Sequence, residues 1–134
     1  MVKLTRDELL CMSAFQTFTG VLACDCVINE DTIVFVVKEE DIGTAIGKNG
    51  LHVKKLSDRT KKKIQVFAQG KDAESFIRLA FKNHIVHSVT LEEKEMRISV
   101  NNEDKKKILQ NKWKFNIIKE IMKRSYGIEN IKIK

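Results

Sequence analysis

Two glycines three residues apart, Gly47 and Gly50, enclose Lys48 and Asn49, and this short run has the residue types and spacing that best fit a chemical task. Glycine inside a helical pattern costs about 1 kcal/mol relative to alanine, so the pair calls for a reason. A turn without Cβ atoms at either end lets a ligand lie directly on the peptide groups. A helix starting just after it presents free N–H groups and a partial positive charge. Lys48 would project from such a turn toward phosphate, and Asn49 tolerates the left-handed backbone of tight turns. Ile46 and Val53 are expected to anchor the turn to the core from either side. The ligand that most needs this close approach is a nucleic-acid backbone. A nucleotide-binding P-loop is a poor fit, because "GKNG" lacks the four-residue spacer and the Lys-Ser/Thr ending.

Other chemistries find little support. Cys11, Cys24 and Cys26 are too few for a disulfide scaffold, and with the distant His84 and His87 they make no zinc-finger spacing. Cys24 and Cys26 fall in a strand-like run and read as buried, reduced thiols. Asp7/Glu8 and Glu39/Glu40/Asp41 sit where helices begin, so capping accounts for them. No catalytic set, metal site or cofactor is expected, and the chain does not read as an enzyme. Its 134 residues, 43% hydrophobic and 32% charged, describe a globular protein of one or two small domains. No apolar run approaches the roughly 18 residues of a membrane span, and "MVKLTRDELL" lacks the apolar stretch of a secretory signal. A cytoplasmic location is therefore expected.

The net charge of +7 favours a polyanionic partner. Residues 1–70 hold ten basic against nine acidic side chains, and residues 71–134 hold fifteen against nine. The first half nonetheless carries a cluster after its glycines: Lys48, Lys54, Lys55, Arg59, Lys61, Lys62 and Lys63, against Asp58 alone. A solvated helix face is the plainer explanation of such a run, but it leaves the glycines unexplained.

These residues need elements to hold them. Thr5 and Glu8 form a capping-box pattern ahead of a helix reaching about Phe18, with Leu9, Leu10, Ala14 and Phe15 at helical spacing. "VLACDCVI" and "TIVFVVK" read as strands around the turn "NED". "EEDIGTAI" reads as a short helix, "LHVKKLSDRTKK" as a second with Val53, Leu56 and Thr60 inward, and "KIQVFA" as a strand. The order αββααβ then recurs: "KDAESFIRLAFKN", "IVHSVTLEE", "EMRISVN", "NEDKKKIL", "KWKFNIIKEIMKRSYG" with Gly127 as a C-cap glycine, and "IENIKIK". Ile33, Phe35, Val37 and Asp41 map onto Met96, Ile98, Val100 and Asp104 at an offset of 63. Beyond that an offset of 62 places Val53 and Leu56 on Phe115 and Ile118. Two units, 1–70 and 71–134, are expected to pack together, each with a three-stranded sheet, in an α+β two-layer sandwich joined by a short hinge, "QGKD".

The run Ile46-Gly47-Lys48-Asn49-Gly50-Leu51-His52-Val53 resembles the KH-domain signature, and αββααβ resembles the type II form of that fold. Tandem units of this kind, with the phrases "TGV", "VVKEEDIGTAIGKNG" and "RSYGIENIKI", resemble archaeal NusA-like transcription proteins over essentially the whole chain. The resemblance implies single-stranded RNA as partner, clamped at its backbone by the glycine loop, and a role in transcription elongation and termination. RNA polymerase or a nascent transcript complex is the implied further partner, and the chain is expected to be a monomer. The alternative is the same platform used in ribosome assembly or RNA processing. It further implies that Ile46, Gly47, Lys48, Asn49, Gly50 and His52 meet the RNA, with Lys54 and Lys55 as outer contacts. The last strand of the fold lines one wall of the groove, making Ile64, Gln65 and Val66 candidates; Gln65 offers donor and acceptor to a base edge. Alternation in so short a run does not decide the inward face. The second unit departs from the pattern, with "LQNKW" at 109–113 in place of the glycine loop. The equivalent loop is Leu109–Lys112 or Gln110–Trp113, so a clamp there should be weak or absent. Lys105, Lys106, Lys107, Lys112 and Lys114 leave it a phosphate-tracking surface. Trp113 is either a base-stacking platform or a core residue.

Overall fold

A computed structural model of the chain describes residues 5–81 and 86–134. Expectations touching residues 1–4 and 82–85, including His84, the end of the helix pattern "KDAESFIRLAFKN" and the first residue of the strand after it, lie outside the described residues. The chain separates into two compact units, residues 2–69 and 70–134.

In the first unit, helix α1 (Arg6–Thr19) begins at the expected capping box: Thr5 Oγ1 accepts from the Glu8 N–H at 3.1 Å, and the Thr5 N–H donates to Glu8 Oε1 at 2.9 Å. Strands β1 (Asp25–Ile28) and β2 (Thr32–Lys38) form an antiparallel hairpin around "NED". A 3-10 turn at Glu39–Asp41 leads into α2 (Ile42–Ile46), a second 3-10 turn covers Lys48–Gly50, and α3 (Leu51–Thr60) follows. Strand β3 (Lys63–Gln69) returns parallel to β2, giving the sheet order β1-β2-β3.

The helices cover one face of this sheet. Phe15 stacks on Phe35 with ring centroids 4.2 Å apart, and Val37, Ala45, Leu56 and Ile64 close the core around them. The continuous apolar run of β2 is explained by burial on both faces: residues Thr32 to Val37 are all buried. Two expectations need correction. Leu9 and Leu10 are exposed, 54% and 58%, because α1 presents Cys11, Met12, Phe15 and Phe18 to the core instead. The first strand is shorter than "VLACDCVI", so Cys24 lies outside it and only half-buried, as is Cys11, while Cys26 is buried. Burial, ahead of neighbouring carboxylates, raises the thiol pKa of Cys11; burial also raises that of Cys24, so both resist ionisation.

The second unit repeats the order with α4 (Ala73–Ala80), β4 (Val86–Glu92), β5 (Glu95–Val100), α5 (Asn102–Gln110), α6 (Lys112–Tyr126) and β6 (Asn130–Ile133). Its sheet runs β4-β5-β6, antiparallel then parallel, as in the first unit. The fold is therefore α+β, two αββααβ units of the type II form. Alternation along β5 buries Met96, Ile98 and Val100 and leaves Glu95, Arg97 and Ser99 on the opposite face. Gly127 caps α6 with φ 68°, as its position predicts. Gly70 is held firmly: its carbonyl accepts from Tyr126 Oη at 2.8 Å, and a Cβ there would collide with the Phe76 amide nitrogen.

Leu56 carries the seating of α3, since its side chain is 1% exposed at the centre of the first core. Leu56→Ala should cost about 2–5 kcal/mol of unfolding free energy, read from urea denaturation, whereas Leu9→Ala on the exposed side of α1 should change it by less than about 0.5 kcal/mol.

Candidate nucleic-acid interface

Helix α2 ends where the Gly47 N–H reaches back to the Gly43 carbonyl at 3.0 Å. Gly47 then takes φ 81°, ψ 168°, Asn49 φ 56°, ψ 27°, and Gly50 φ 72°, ψ 21°. Positive φ at these positions turns the chain sharply, and only glycine or asparagine adopts it at low cost. The Gly50 N–H closes the turn on the Gly47 carbonyl at 3.1 Å. A 3-10 turn leaves its first N–H groups without internal partners, so the bend presents main-chain donors beside the exposed Lys48 and Asn49.

The glycines have a reason inside the chain as well. A Cβ on Gly47 would stand 2.9 Å from Cγ and Nδ1 of His52, whereas one on Gly50 would meet nothing within 4 Å. His52 Nδ1 lies 2.9 Å from the Thr44 carbonyl oxygen. A carbonyl can only accept, so the hydrogen of this bond sits on Nδ1. His52 is thus half-buried and engaged with α2; its ring is not a free side chain at the helix start.

The buried anchor before the bend is Ala45, fully enclosed, while Ile46 is half-exposed; Val53 packs on the core as expected. Lys54 and Lys55 are exposed on α3, and neither they nor Lys48 forms an ion pair among the described residues. Other members of the basic cluster have local duties. Lys62 Nζ donates to the Asn29 carbonyl at 2.8 Å, and the Arg59 guanidinium sits 5.9 Å from the centroid of the Phe18 ring.

Register decides the face of Gln65. It pairs with Val34, while Ile64 and Val66 pair with the core residues Ile33 and Phe35. Gln65 therefore points from the sheet face opposite α2 and α3, and the strand's residues on the helix side are Ile64, Val66 and Ala68. Leu51, directly after Gly50, is 47% exposed beside the bend and was not singled out by the sequence pattern.

In the second unit one residue, Asn111, joins α5 to α6, with φ −88° and ψ 70°. No left-handed turn exists there, and the Asn111 N–H and carbonyl are taken by Lys107 and Phe115. Lys112 is exposed, while Lys114 and Trp113 are half-buried. Among the described residues no group of three or more His, Cys, Asp or Glu could hold a metal ion, and no helix is long and apolar enough to cross a membrane.

The KH domain family matches residues 12–108, which take in the bend, both helices around it and the first sheet. The chain belongs to the KH-domain family. Among its relatives, "Probable transcription termination protein NusA" of Methanocaldococcus jannaschii is 38% identical over 80 residues, covering 60% of this chain and 44% of that protein. The protein of the same name from Methanococcus vannielii is 40% identical over 80 residues, covering 60% and 46%. The match thus spans less than half the length of these two relatives. The protein of the same name from Halobacterium salinarum strain R1 is 26% identical over 136 residues, covering 98% of both chains. The crystal structure of APE1850 superposes with a TM-score of 0.87 at 27% identity, covering 98% of this chain and 100% of that one. The tandem KH form resembles archaeal NusA-like proteins throughout.

Gly43 and Gly47 make a discriminating pair. Gly43 lies in α2 with nothing within 4 Å of an added Cβ, so Gly43→Ala should raise stability by up to about 1 kcal/mol. Gly47→Ala should lower it by about 1–3 kcal/mol through positive φ and the His52 ring. Urea midpoints of the two variants check both signs.

Proposed function

We propose that this chain is a single-stranded RNA-binding protein acting in transcription elongation and termination, with the RNA backbone resting on the Gly47–Gly50 bend. The observation that carries the reading is this left-handed bend at the start of α3, with Lys48 exposed and unpaired beside it. The main-chain N–H groups and Lys48 meet phosphate, and Asn49 contacts the strand beside them. Lys54 and Lys55 add attraction from the exposed side of α3. Ile46, half-exposed, and the helix-side residues Val66 and Ala68 of β3 offer apolar surface to bases. Lys112 and Lys114 add a weaker basic surface in the second unit, without a cradle. The KH membership supports RNA as ligand, and the naming of the archaeal relatives as transcription termination proteins supports the transcription role and a polymerase or nascent-transcript partner. The same reading makes the chain a monomeric binding protein rather than an enzyme.

Lys48→Asp with Asn49→Asp should abolish most affinity for a short unstructured RNA in fluorescence anisotropy while leaving the circular dichroism spectrum unchanged. The corresponding Asn111→Asp, Lys112→Asp protein should lose less; the reverse order would move the site to the second unit. Three lysine–phosphate contacts predict a log–log salt slope of about −2 for single-stranded RNA. Crosslinking in cells followed by sequencing assigns the process. Nascent transcripts with co-purified polymerase support the transcription role, and mature ribosomal RNA alone would replace it with ribosome assembly.

A further inference from the structure

We infer that His52 is a positioning residue that presets the Gly47–Gly50 bend for its ligand, an inference resting on the RNA-binding reading of that bend. Three observations converge on it. The Nδ1–H donates to the Thr44 carbonyl at 2.9 Å, joining the first turn of α3 to the last turn of α2 across the loop. The imidazole also occupies the volume a Gly47 Cβ would take, 2.9 Å from Cγ and from Nδ1. The Gly47 N–H is meanwhile held by Gly43 in the same short helix. Gly47 is therefore fixed from its amide side by α2 and from its Cα side by a ring belonging to α3.

The Thr44 carbonyl belongs to the last turn of a helix, where carbonyl groups lack intrahelical partners. An imidazole N–H supplies that partner and fixes the ring orientation. With α2 only five residues long, few other bonds hold its C-terminal end against α3. The helix-to-helix angle sets where the free N–H groups of the bend point, so a brace between the helices prepays ordering that the ligand would otherwise cost. His52 acts through the bend and through Gly47, not by touching phosphate.

His52→Phe keeps an aromatic ring over Gly47 and removes the hydrogen bond, whereas His52→Asn keeps an N–H donor close to the Nδ1 position. With a fluorescein-labelled mixed-sequence single-stranded RNA, His52→Phe should bind about three- to tenfold more weakly than the parent, the range expected for one lost hydrogen bond. His52→Asn should stay within about twofold. Amide order parameters at residues 47–50 should fall in His52→Phe and stay unchanged in β3. Nitrogen chemical shifts of the unmodified protein's neutral imidazole should show the Nδ1–H tautomer, a readout that needs no variant to fold. An Nε2–H tautomer, or parent-like affinity in a folded His52→Phe protein, overturns the inference. Lys48→Asp with Asn49→Asp is the control. If that protein also binds like the parent, the RNA-binding reading has failed; if it alone loses affinity, only the His52 role has.

Discussion

Between Ile46 and Leu51 the main chain holds φ near 81°, 56° and 72° at Gly47, Asn49 and Gly50, a region where a Cβ meets the following carbonyl. Two glycines remove that clash at the ends of the bend, and Asn49, whose short polar side chain tolerates the left-handed region, takes the middle at a smaller cost than other side chains. Fully burying a side chain such as Leu56 is worth about 1.5–3 kcal/mol, and Ala45 and Phe15 add to it on the same face. The seated helices thus outweigh the strain of the loop they carry.

The electrostatics follow from the same packing. Helix α3 turns Val53, Leu56 and Thr60 inward, which leaves Leu51, Lys54, Lys55 and Asp58 on the exposed side. The basic run is therefore not one surface. Lys62 is spent on the β1–β2 turn and Arg59 on Phe18, while Lys48, Lys54 and Lys55 keep their charges without acidic partners among the described residues. Unpaired exposed lysines contribute little to stability but add directly to attraction for a polyanion.

Most of this architecture was legible because each signal was local. The capping box at Thr5, the run "TIVFVVK" as β2 and Gly127 as the α6 cap each depend on neighbours within a few residues. Failures came where two local patterns competed. Helix α1 carries two overlapping apolar stripes, one through Leu9 and Leu10 and one through Cys11, Met12, Phe15 and Phe18. Only contact with Phe35 and the rest of the core decides between them. The facing of Gln65 was open for a related reason: a seven-residue strand with Ile64, Val66 and Phe67 does not reveal its inner face until its register with β2 is known. The His52 bond was hidden for a different reason, since it joins residues eight apart across a bend whose closure no periodicity describes.

The second unit separates charge from geometry. Its helices keep the lysines, Lys106, Lys107 and Lys112 being exposed, but a single residue with negative φ now connects them. The first N–H groups of α6 still lack intrahelical partners, as at any helix start, yet every position from Leu109 to Lys114 carries a side chain. A phosphate could be attracted there from a distance of about 8–10 Å, the range over which salt leaves such charges effective. It could not settle onto bare peptide groups. Attraction without a cradle raises encounter rates and leaves register unset. On the proposed reading, the second unit gathers the polymer and the Gly47–Gly50 bend fixes where its backbone lies.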